Sequence, residues 1–225
     1  MQIVKVPGLN SFGRNDGCRN AADAIFSELK EIWSNSKNVP VDYKMFDMKE
    51  IELDNGDLDE QEKKIHEGAL DFIKSNEKVI FIGGDHSITY STGKAFLDFC
   101  RENGKEPCLI IFDSHPDCMP PQKNVSHEEW LRACVDYGFT AKNILFVGLR
   151  NSDIVEIKYM SENSIKQIKI NDLMNDLEDV TDSIMEFSSG KELYVSFDID
   201  FIDPAFAPST GYIEAGGSTS WVALY

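Results

Sequence analysis

The sequence predicts an α/β fold in which helices cover a mainly parallel β-sheet. Short runs rich in β-branched and aromatic residues alternate with longer stretches of helical periodicity, which is the pattern of β-α-β units. Two of the runs, residues 79–82 and 109–112, are apolar throughout, as is typical of strands covered on both faces. With 225 residues, of which 42% are hydrophobic, the chain is long enough for one buried core, and we predict a single domain over residues 1–225.

The predicted elements alternate along nearly the whole chain. Strands are expected at residues 2–6, 43–46, 79–82, 108–112, 144–147, 165–170 and 193–197. Helices are expected at residues 21–33, 60–74, 89–100, 128–137, 154–160 and 173–187. After Gly217 the chain runs a few residues into a further strand or helix.

The composition is strongly acidic, with 39 Asp and Glu against 22 Lys and Arg and a net charge of -17. This charge repels nucleic acid and anionic membranes, so neither is expected as a partner, whereas metal ions or a cationic substrate would be attracted. The 5 cysteines are scattered and form no CxxC pair, which predicts neither a disulfide framework nor a zinc knuckle. Without a leader or a long apolar run, the sequence favours a cytoplasmic protein with no membrane span.

Acidic and histidine residues follow three of the predicted strands directly. The sequences are GGDHS at residues 83–87, DSHPD at residues 113–117 and DIDFIDP at residues 198–204. In open α/β sheets, ligands bind beyond the carboxyl ends of the strands. We therefore expect the three segments to face one crevice.

The spacing within these segments favours a metal site. Residues two apart in extended chain point to one side, so the side chains of each segment can converge. Four carboxylates in one crevice repel one another unless cations neutralise them, and a donor set of carboxylates and imidazoles without a thiolate favours a hard ion such as Mn²⁺. Six ligands exceed the need of one ion, so two ions about 3.5–4 Å apart are expected. The candidate ligands are His86, Asp113, His115, Asp117, Asp198 and Asp200.

Each segment also has a purely structural interpretation. The first would be a plain turn in which His86 caps or packs, Asp113 and Asp117 would be helix caps, and residues 198–203 would be a solvated acidic loop. The presence of all three at strand ends favours the metal site. A calcium loop of the EF-hand type is excluded, because residues 198–203 lack its glycine turn and closing glutamate.

Together with PSTG at residues 208–211 and the glycine pair at 216–217, the three segments resemble the signature segments of the ureohydrolases in order and spacing. That family includes arginases, agmatinases, guanidinobutyrases and formimidoylglutamases, and the pattern is most similar to the agmatinase-like members. The resemblance implies a three-layer α/β/α sandwich whose C-terminal part is short or missing here. It also implies a homo-oligomer, usually a trimer or hexamer.

The resemblance further implies two Mn²⁺ ions per subunit and a reaction. The implied ligands are His86, Asp113, Asp117 and Asp198 for one ion, and Asp113, His115, Asp198 and Asp200 for the other. A hydroxide that bridges the metals would attack the carbon of a guanidinium or formimino group, giving an amine with urea or formamide. Asp200 would accept the remaining proton of that hydroxide as a hydrogen bond.

Two further residues have a role by resemblance and an alternative. His127 stands where agmatinase-like members place a histidine that transfers protons to the leaving amine. Alternatively, Ser126 and Glu129 form a capping box, which would leave His127 an ordinary surface residue. Asp153 stands where arginases bind the amino group of the substrate, and a helix-capping role is equally open.

The chain also departs from the family pattern. Where arginases bind the substrate carboxylate with an asparagine, this chain has Met119, so arginine is less favoured as a substrate. Where an arginine and then a glutamate for the guanidinium are expected, Trp221 and Val222 occur. The leading hypothesis is an agmatinase-like hydrolase that acts on a small guanidino or formimino compound. The alternatives are formimidoylglutamase or arginase activity, or a metal-binding subunit without catalysis.

Overall fold

A computed structural model describes residues 1–13, 16–53 and 56–225. The chain divides into two compact units, Met1–Phe99 and Cys100–Tyr225. The single domain expected from the sequence stays a prediction. Among the described residues, no helix is both long and apolar enough to span a membrane.

The first unit contains a three-stranded parallel sheet. Its strands are β1 (Gln2–Val6), β2 (Met48–Glu50) and β3 (Val79–Gly83), and its helices are α1 (Ala21–Glu28), α2 (Leu58–Ser75) and α3 (Ile88–Glu102), whose last residues belong to the second unit. The strand order is β2-β1-β3, so β1 is the middle strand. Val4 and Val6 of β1 pack with Ile51, Ile65 and Ile88 in a buried apolar core.

The second unit contains a four-stranded parallel sheet. Its strands are β4 (Pro107–Phe112), β5 (Ile144–Leu149), β6 (Lys166–Lys169) and β7 (Glu192–Phe197). Its helices are α4 (Trp130–Tyr137), α5 (Ile154–Glu162), α6 (Ile170–Asn175), α7 (Leu177–Ser188) and α8 (Ser220–Leu224). The strand order is β6-β5-β4-β7, and every neighbouring pair is parallel. The two sheets confirm the predicted α/β class.

The core of the second unit lies against its two middle strands. Every residue of β5 is buried, and because successive side chains point to opposite faces, both faces of this strand are covered. Ile110 of β4 and Val147 of β5 pack with Leu173, Val180 and Phe201 in one apolar cluster. This packing explains why the sequence of these strands is apolar without interruption.

Some predicted elements differ from the structure. The strand expected at residues 43–46 is wrong: Tyr43–Met45 is a 3-10 helix, because the Asp42 side chain accepts a hydrogen bond from the N–H of Lys44 at 3.0 Å. The strand expected at residues 165–170 ends at Lys169. The helix expected at residues 173–187 is divided at Asp176, which caps α7 by accepting from the N–H of Asp179.

Two isoleucines test the core of the second unit. We expect Ile110→Ala to lower the free energy of unfolding by about 2–5 kcal/mol, since its side chain is 1% exposed and its loss leaves a cavity. Ile154→Ala is the matched control, because Ile154 is 74% exposed, and its effect should stay within about 0.5 kcal/mol. Urea unfolding followed by circular dichroism measures both. Equal losses would contradict the assignment of Ile110 to the core.

Candidate metal centre

Strands β4 and β7 bring two acidic segments to one edge of the second sheet. They are parallel neighbours, and Phe112 pairs with Phe197 at their carboxyl ends. Asp113 and Asp198 come next in the chain, and the N–H of Asp198 donates to the carbonyl of Phe112 at 2.9 Å. Strand register therefore brings the beginnings of the two segments together.

Three side chains from these segments form a compact cluster, Asp113, His115 and Asp200, called the ligand cluster below. One potential ligand atom of each lies within 4.8 Å of the others. His115 Nδ1 is 3.0 Å from Asp200 Oδ2 and 3.7 Å from Asp113 Oδ1. The carboxylates are buried, at 1% exposure for Asp113 and 5% for Asp200, and His115 is partly accessible.

The charges in the ligand cluster depend on one another. Burial by itself would lower the pKa of His115, but the hydrogen bond and charge of Asp200, with the charges of Asp113 and Asp117, raise it to about 10. Burial also opposes ionisation of Asp200, yet its contacts with His115 and Ser114 hold its pKa below the ordinary value. Near neutral pH, His115 is therefore protonated and Asp200 ionised. The proton on His115 takes the place of a cation between the carboxylates.

Backbone and hydroxyl donors fix the position of Asp200. Its Oδ1 accepts from the N–H of Ser114 at 3.2 Å and from the hydroxyl of Ser114 at 2.7 Å. Its own N–H donates to Asp198 Oδ1 at 2.9 Å, which begins the 3-10 helix Ile199–Phe201. Similarly, the N–H of His115 donates to Asp113 Oδ1 at 2.8 Å. The residues that hold the ligand cluster in place are thus its own members and two residues close to them in the sequence, Ser114 and Asp198.

Two other predicted ligands lie in the same unit. Asp117 is buried, and its Oδ2 accepts from Trp130 Nε1 at 2.8 Å. Asp198 is partly buried at the start of the 3-10 helix. Their roles as metal ligands stay predictions.

The sixth predicted ligand, His86, lies in the first unit, in the turn between β3 and α3. A side chain at Gly84 would place its Cβ 1.8 Å from the carbonyl oxygen of Gly8, so only glycine fits there. The N–H of Gly84 donates to the carbonyl of Val6 at 2.9 Å. These contacts set the path of the turn, and the role of His86 stays a prediction.

A cavity of about 320 Å³ includes His115 in its wall. The lining residues are His115, Asp117, Met119, His127, Glu128, Asn151, Asp153, Glu156, Tyr212 and Glu214. Half of these lining residues are acidic, and none of them is Lys or Arg. The pocket therefore favours a positively charged ligand.

His127 is part of the pocket wall and is only 7% exposed. Its Nε2 lies 2.9 Å from the hydroxyl oxygen of Tyr212. Both the N–H and the hydroxyl of Ser126 donate to Glu129 Oε2, at 2.6 and 2.5 Å. The Ser126–Glu129 contact expected of a capping box is therefore present, but the surface position that this alternative gave His127 is wrong.

Asp153 begins α5 as its N-cap. Its Oδ1 accepts from the N–H of Val155 at 2.8 Å, and Glu156 Oε2 accepts from the N–H of Asp153 at 3.0 Å, so the pair forms a capping box. Glu156 is buried, and burial raises its pKa above the ordinary value. Asp153 thus has the capping role, and its side chain also borders the pocket.

The sequence interpretation missed Asn151, Tyr212 and Glu214 in the pocket wall. Asn151 Nδ2 donates to Glu214 Oε1 at 2.8 Å, and His115 Nε2 lies 3.2 Å from the same oxygen. The one signal in the sequence that could have indicated these residues is their position relative to strand ends and to the recognised segments. Asn151 follows the carboxyl end of β5 closely, and the other two lie between the segments at 208–211 and 216–217.

Position 222 does not line the pocket. Val222 and Ala223 of α8 pack against the apolar cluster of the second unit. Trp221 is exposed, and its ring lies 5.8 Å from that of Tyr225. The apolar side chain that stands at position 222 thus belongs to the core of the second unit. Whether the loss of the expected glutamate weakens guanidinium binding stays a prediction.

Comparisons with known proteins agree on one family. The model of the family described as the arginase family matches residues 1–225. The arginase of Neurospora crassa is 30% identical over 184 residues, which cover 70% of this chain and 50% of that protein. The mitochondrial agmatinase of Gallus gallus is 28% identical over 184 residues, which cover 79% of this chain and 53% of that protein. The chain thus spans about half the length of the curated relatives it matches.

A solved structure extends the likeness to the fold. The crystal structure of formimidoylglutamase from Bacillus subtilis matches with a TM-score of 0.86 at 17% identity, over 99% of this chain and 72% of that one. At this identity the likeness concerns the fold alone. It confirms the arginase-like α/β fold expected from the sequence.

The capping box at α5 gives a testable prediction. We expect Asp153→Ala to lower the free energy of unfolding by about 1 kcal/mol, because alanine accepts no hydrogen bond from the first turn. Asp153→Asn should change it by only a few tenths of that amount, because asparagine caps about as well as aspartate. Urea unfolding of both variants measures the difference. Equal destabilisation would contradict the capping role.

Proposed function

The chain belongs to the arginase family, and on that premise we propose that it is a metal-dependent hydrolase that cleaves a C–N bond of a small guanidino compound and releases urea. The proposed activity is agmatinase-like. One observation carries the proposal: the ligand cluster shares His115 with a pocket whose wall is rich in carboxylates. A metal site beside a pocket for cations suits hydrolysis of a guanidinium.

Two Mn²⁺ ions are the proposed cofactors. The ligand cluster offers carboxylate oxygens and an imidazole nitrogen, and these donors suit Mn²⁺. The proposed ligands are His86, Asp113, His115, Asp117, Asp198 and Asp200. When bound, the ions would supply the Lewis acidity that lowers the pKa of water towards neutrality.

The charge of the pocket supports agmatine over substrates that carry a carboxylate. Agmatine has a guanidinium at one end and an amine at the other, and carboxylates form charge-assisted hydrogen bonds with both groups. Arginine, guanidinobutyrate and formiminoglutamate each bring a carboxylate, and the lining residues include no Lys or Arg to receive it. Met119 lines the pocket with an apolar side chain. We assign Asp153 to the substrate amine.

The remaining roles concern protons. Asp200 would accept a hydrogen bond from the attacking water, whose oxygen forms the new bond to the guanidino carbon. As the C–N bond breaks, His127 Nε2 would donate a proton to the leaving nitrogen. Of the two protons that the attacking water loses, one would restore His127 and the other would complete the ammonium group of the leaving amine, so a guanidinium and water give urea and a protonated amine. The hydroxyl oxygen of Tyr212, 2.9 Å from His127 Nε2, would orient the ring.

The setting of the protein is also a proposal. We propose a homo-oligomer, a trimer or hexamer, as the family resemblance implies. We propose a cytoplasmic location from the cysteine pattern. The relative from Gallus gallus differs in this respect, because its name describes it as mitochondrial. The described residues contain no helix suited to a membrane span.

A substrate panel tests the proposed activity. With Mn²⁺ added, we expect urea release from agmatine to be faster than from arginine or guanidinobutyrate, and no formamide release from formiminoglutamate. Colorimetric assays of urea and formamide measure this. Formamide as the main product would show a formimidoylglutamase instead, and no product from any compound, with metal bound, would favour the non-catalytic alternative.

A matched pair of cap variants tests the role of Asp153 in the same assay. Asp153→Asn keeps the cap and removes the charge, so KM for agmatine should rise by about tenfold or more, as expected for a lost charge-assisted hydrogen bond. Asp176→Asn is the control, because Asp176 caps α7 in the same way and does not line the pocket. An equal KM for both variants would remove Asp153 from the substrate site.

Metal content tests the assignment of ligands. Asp113→Ala should remove both ions, because the proposed bridging carboxylate serves each of them. His127→Ala should keep both ions and slow turnover by roughly a hundredfold or more, the usual range for acid–base help. Metal analysis by atomic emission and steady-state kinetics measure the two effects.

A third histidine variant supplies the control. His66 pairs with Asp98 at 2.9 Å within the first unit and does not line the pocket, so His66→Ala should leave metal content and turnover unchanged. Loss of metal from His127→Ala would show that His127 is a ligand. Full metal content in Asp113→Ala would contradict the bridging role.

A further inference from the structure

Glu214 joins the pocket wall to the ligand cluster. Its Oε1 lies 3.2 Å from His115 Nε2 and accepts from Asn151 Nδ2 at 2.8 Å. The side chain is 24% exposed, so it is partly shielded from water. Among the carboxylates that line the pocket in the described part of the chain, Glu214 is the one within hydrogen-bond distance of the His115 ring.

The two ring nitrogens of His115 face different groups. Nδ1 lies 2.9 Å from Ser114 Oγ, 3.0 Å from Asp200 Oδ2 and 3.7 Å from Asp113 Oδ1. Nε2 points to Glu214. A histidine that binds a metal uses the lone pair of one nitrogen, and the other nitrogen carries a proton that usually goes to a carboxylate or carbonyl oxygen. The geometry matches that division.

We propose that Glu214 is a positioning residue for His115. Its carboxylate accepts the Nε2–H, so when an ion replaces the proton on Nδ1, the other proton stays on Nε2 and the Nδ1 lone pair faces Asp113 and Asp200, where the ion would bind. The hydrogen bond also makes the imidazole a stronger ligand. This inference rests on the proposed function, since it requires His115 to be a metal ligand.

Arg150 links the backbone at Glu214 to the backbone of the ligand cluster by hydrogen bonds. Its Nη2 donates to the carbonyl of Glu214 at 2.7 Å and to that of Asp200 at 2.6 Å, and its Nε donates to the carbonyl of Ala215 at 3.1 Å. Farther along, Asp203 Oδ2 accepts from the N–H groups of residues 216 and 217 at 2.8 and 3.2 Å. One guanidinium therefore sets the distance between the Glu214 segment and the Asp200 turn.

Manganese affinity of the whole chain tests the proposal. The probe is Mn²⁺ alone, titrated into metal-free protein while the electron paramagnetic resonance signal of the free ion reports what is unbound. Glu214→Ala should weaken binding about 10- to 100-fold, the usual cost of losing such a partner of a ligand. Glu214→Gln should lie between this variant and the parent chain, because its amide oxygen still accepts the Nε2–H.

Glu128→Ala is the matched control for charge. Glu128 lines the same pocket, and its carboxylate lies 3.7 Å from His127 Nε2 rather than against the ligand cluster. This variant removes the same charge as Glu214→Ala, and its affinity for Mn²⁺ should stay within about twofold of the parent chain. Circular dichroism of the metal-free variants checks that each is folded. If Glu214→Ala is not folded, Glu214→Gln still tests the proposal.

Three outcomes would overturn the inference. Parent-like Mn²⁺ affinity in the folded Glu214 variants would show that His115 needs no such partner, and equal losses in Glu128→Ala would reduce the effect to net charge. Unchanged Mn²⁺ affinity with a raised KM for agmatine would assign Glu214 to the substrate instead. In each case the parent chain still binds Mn²⁺; if the parent itself binds none, the proposed function fails first.

Discussion

Parallel pairing of β4 with β7 is the constraint on which the candidate centre depends. Because the two strands run in one direction and pair Phe112 with Phe197, the acidic segments that follow them leave the sheet at the same edge. An antiparallel pair would send the two segments to opposite ends of the sheet. The ligand cluster therefore depends on the parallel strand pairing, which brings the two segments together, before it depends on the chemistry of their side chains.

The same topology creates a problem of charge. Asp113 and Asp200 are buried side by side, and a buried charge is costly unless a partner compensates it. Arg150 lies close enough to contact the carbonyl of Asp200, but its donors go to backbone oxygens rather than to the carboxylates. The proton on His115 is the compensation that the protein itself supplies. A bound cation would supply more, and any ligand that prefers the folded chain also stabilises it.

What the sequence could predict depended on local signals. The unbroken apolar runs of β4 and β5 reflect burial on both faces, and the polar residues after them mark the strand ends, so the fold class and the ligand cluster were accessible. The strand misplaced at residues 43–46 failed because a side-chain bond from Asp42 outweighs β propensity there. Glu214 was out of reach because its position depends on Arg150, which lies far away in the sequence.

The contacts of Arg150 and Asp203 also bear on how the pocket meets a ligand. The carbonyls of Glu214 and Ala215 and the N–H groups of residues 216 and 217 are already bonded to these two side chains, so this part of the wall has little backbone freedom left to lose. If the wall were flexible, the conformational entropy it lost on binding would weaken the affinity. Because this part of the wall is already ordered, most of the conformational entropy lost on binding is that of the ligand. A stiff wall of this kind selects its ligand by shape and length, because it adapts poorly to a molecule that does not fit.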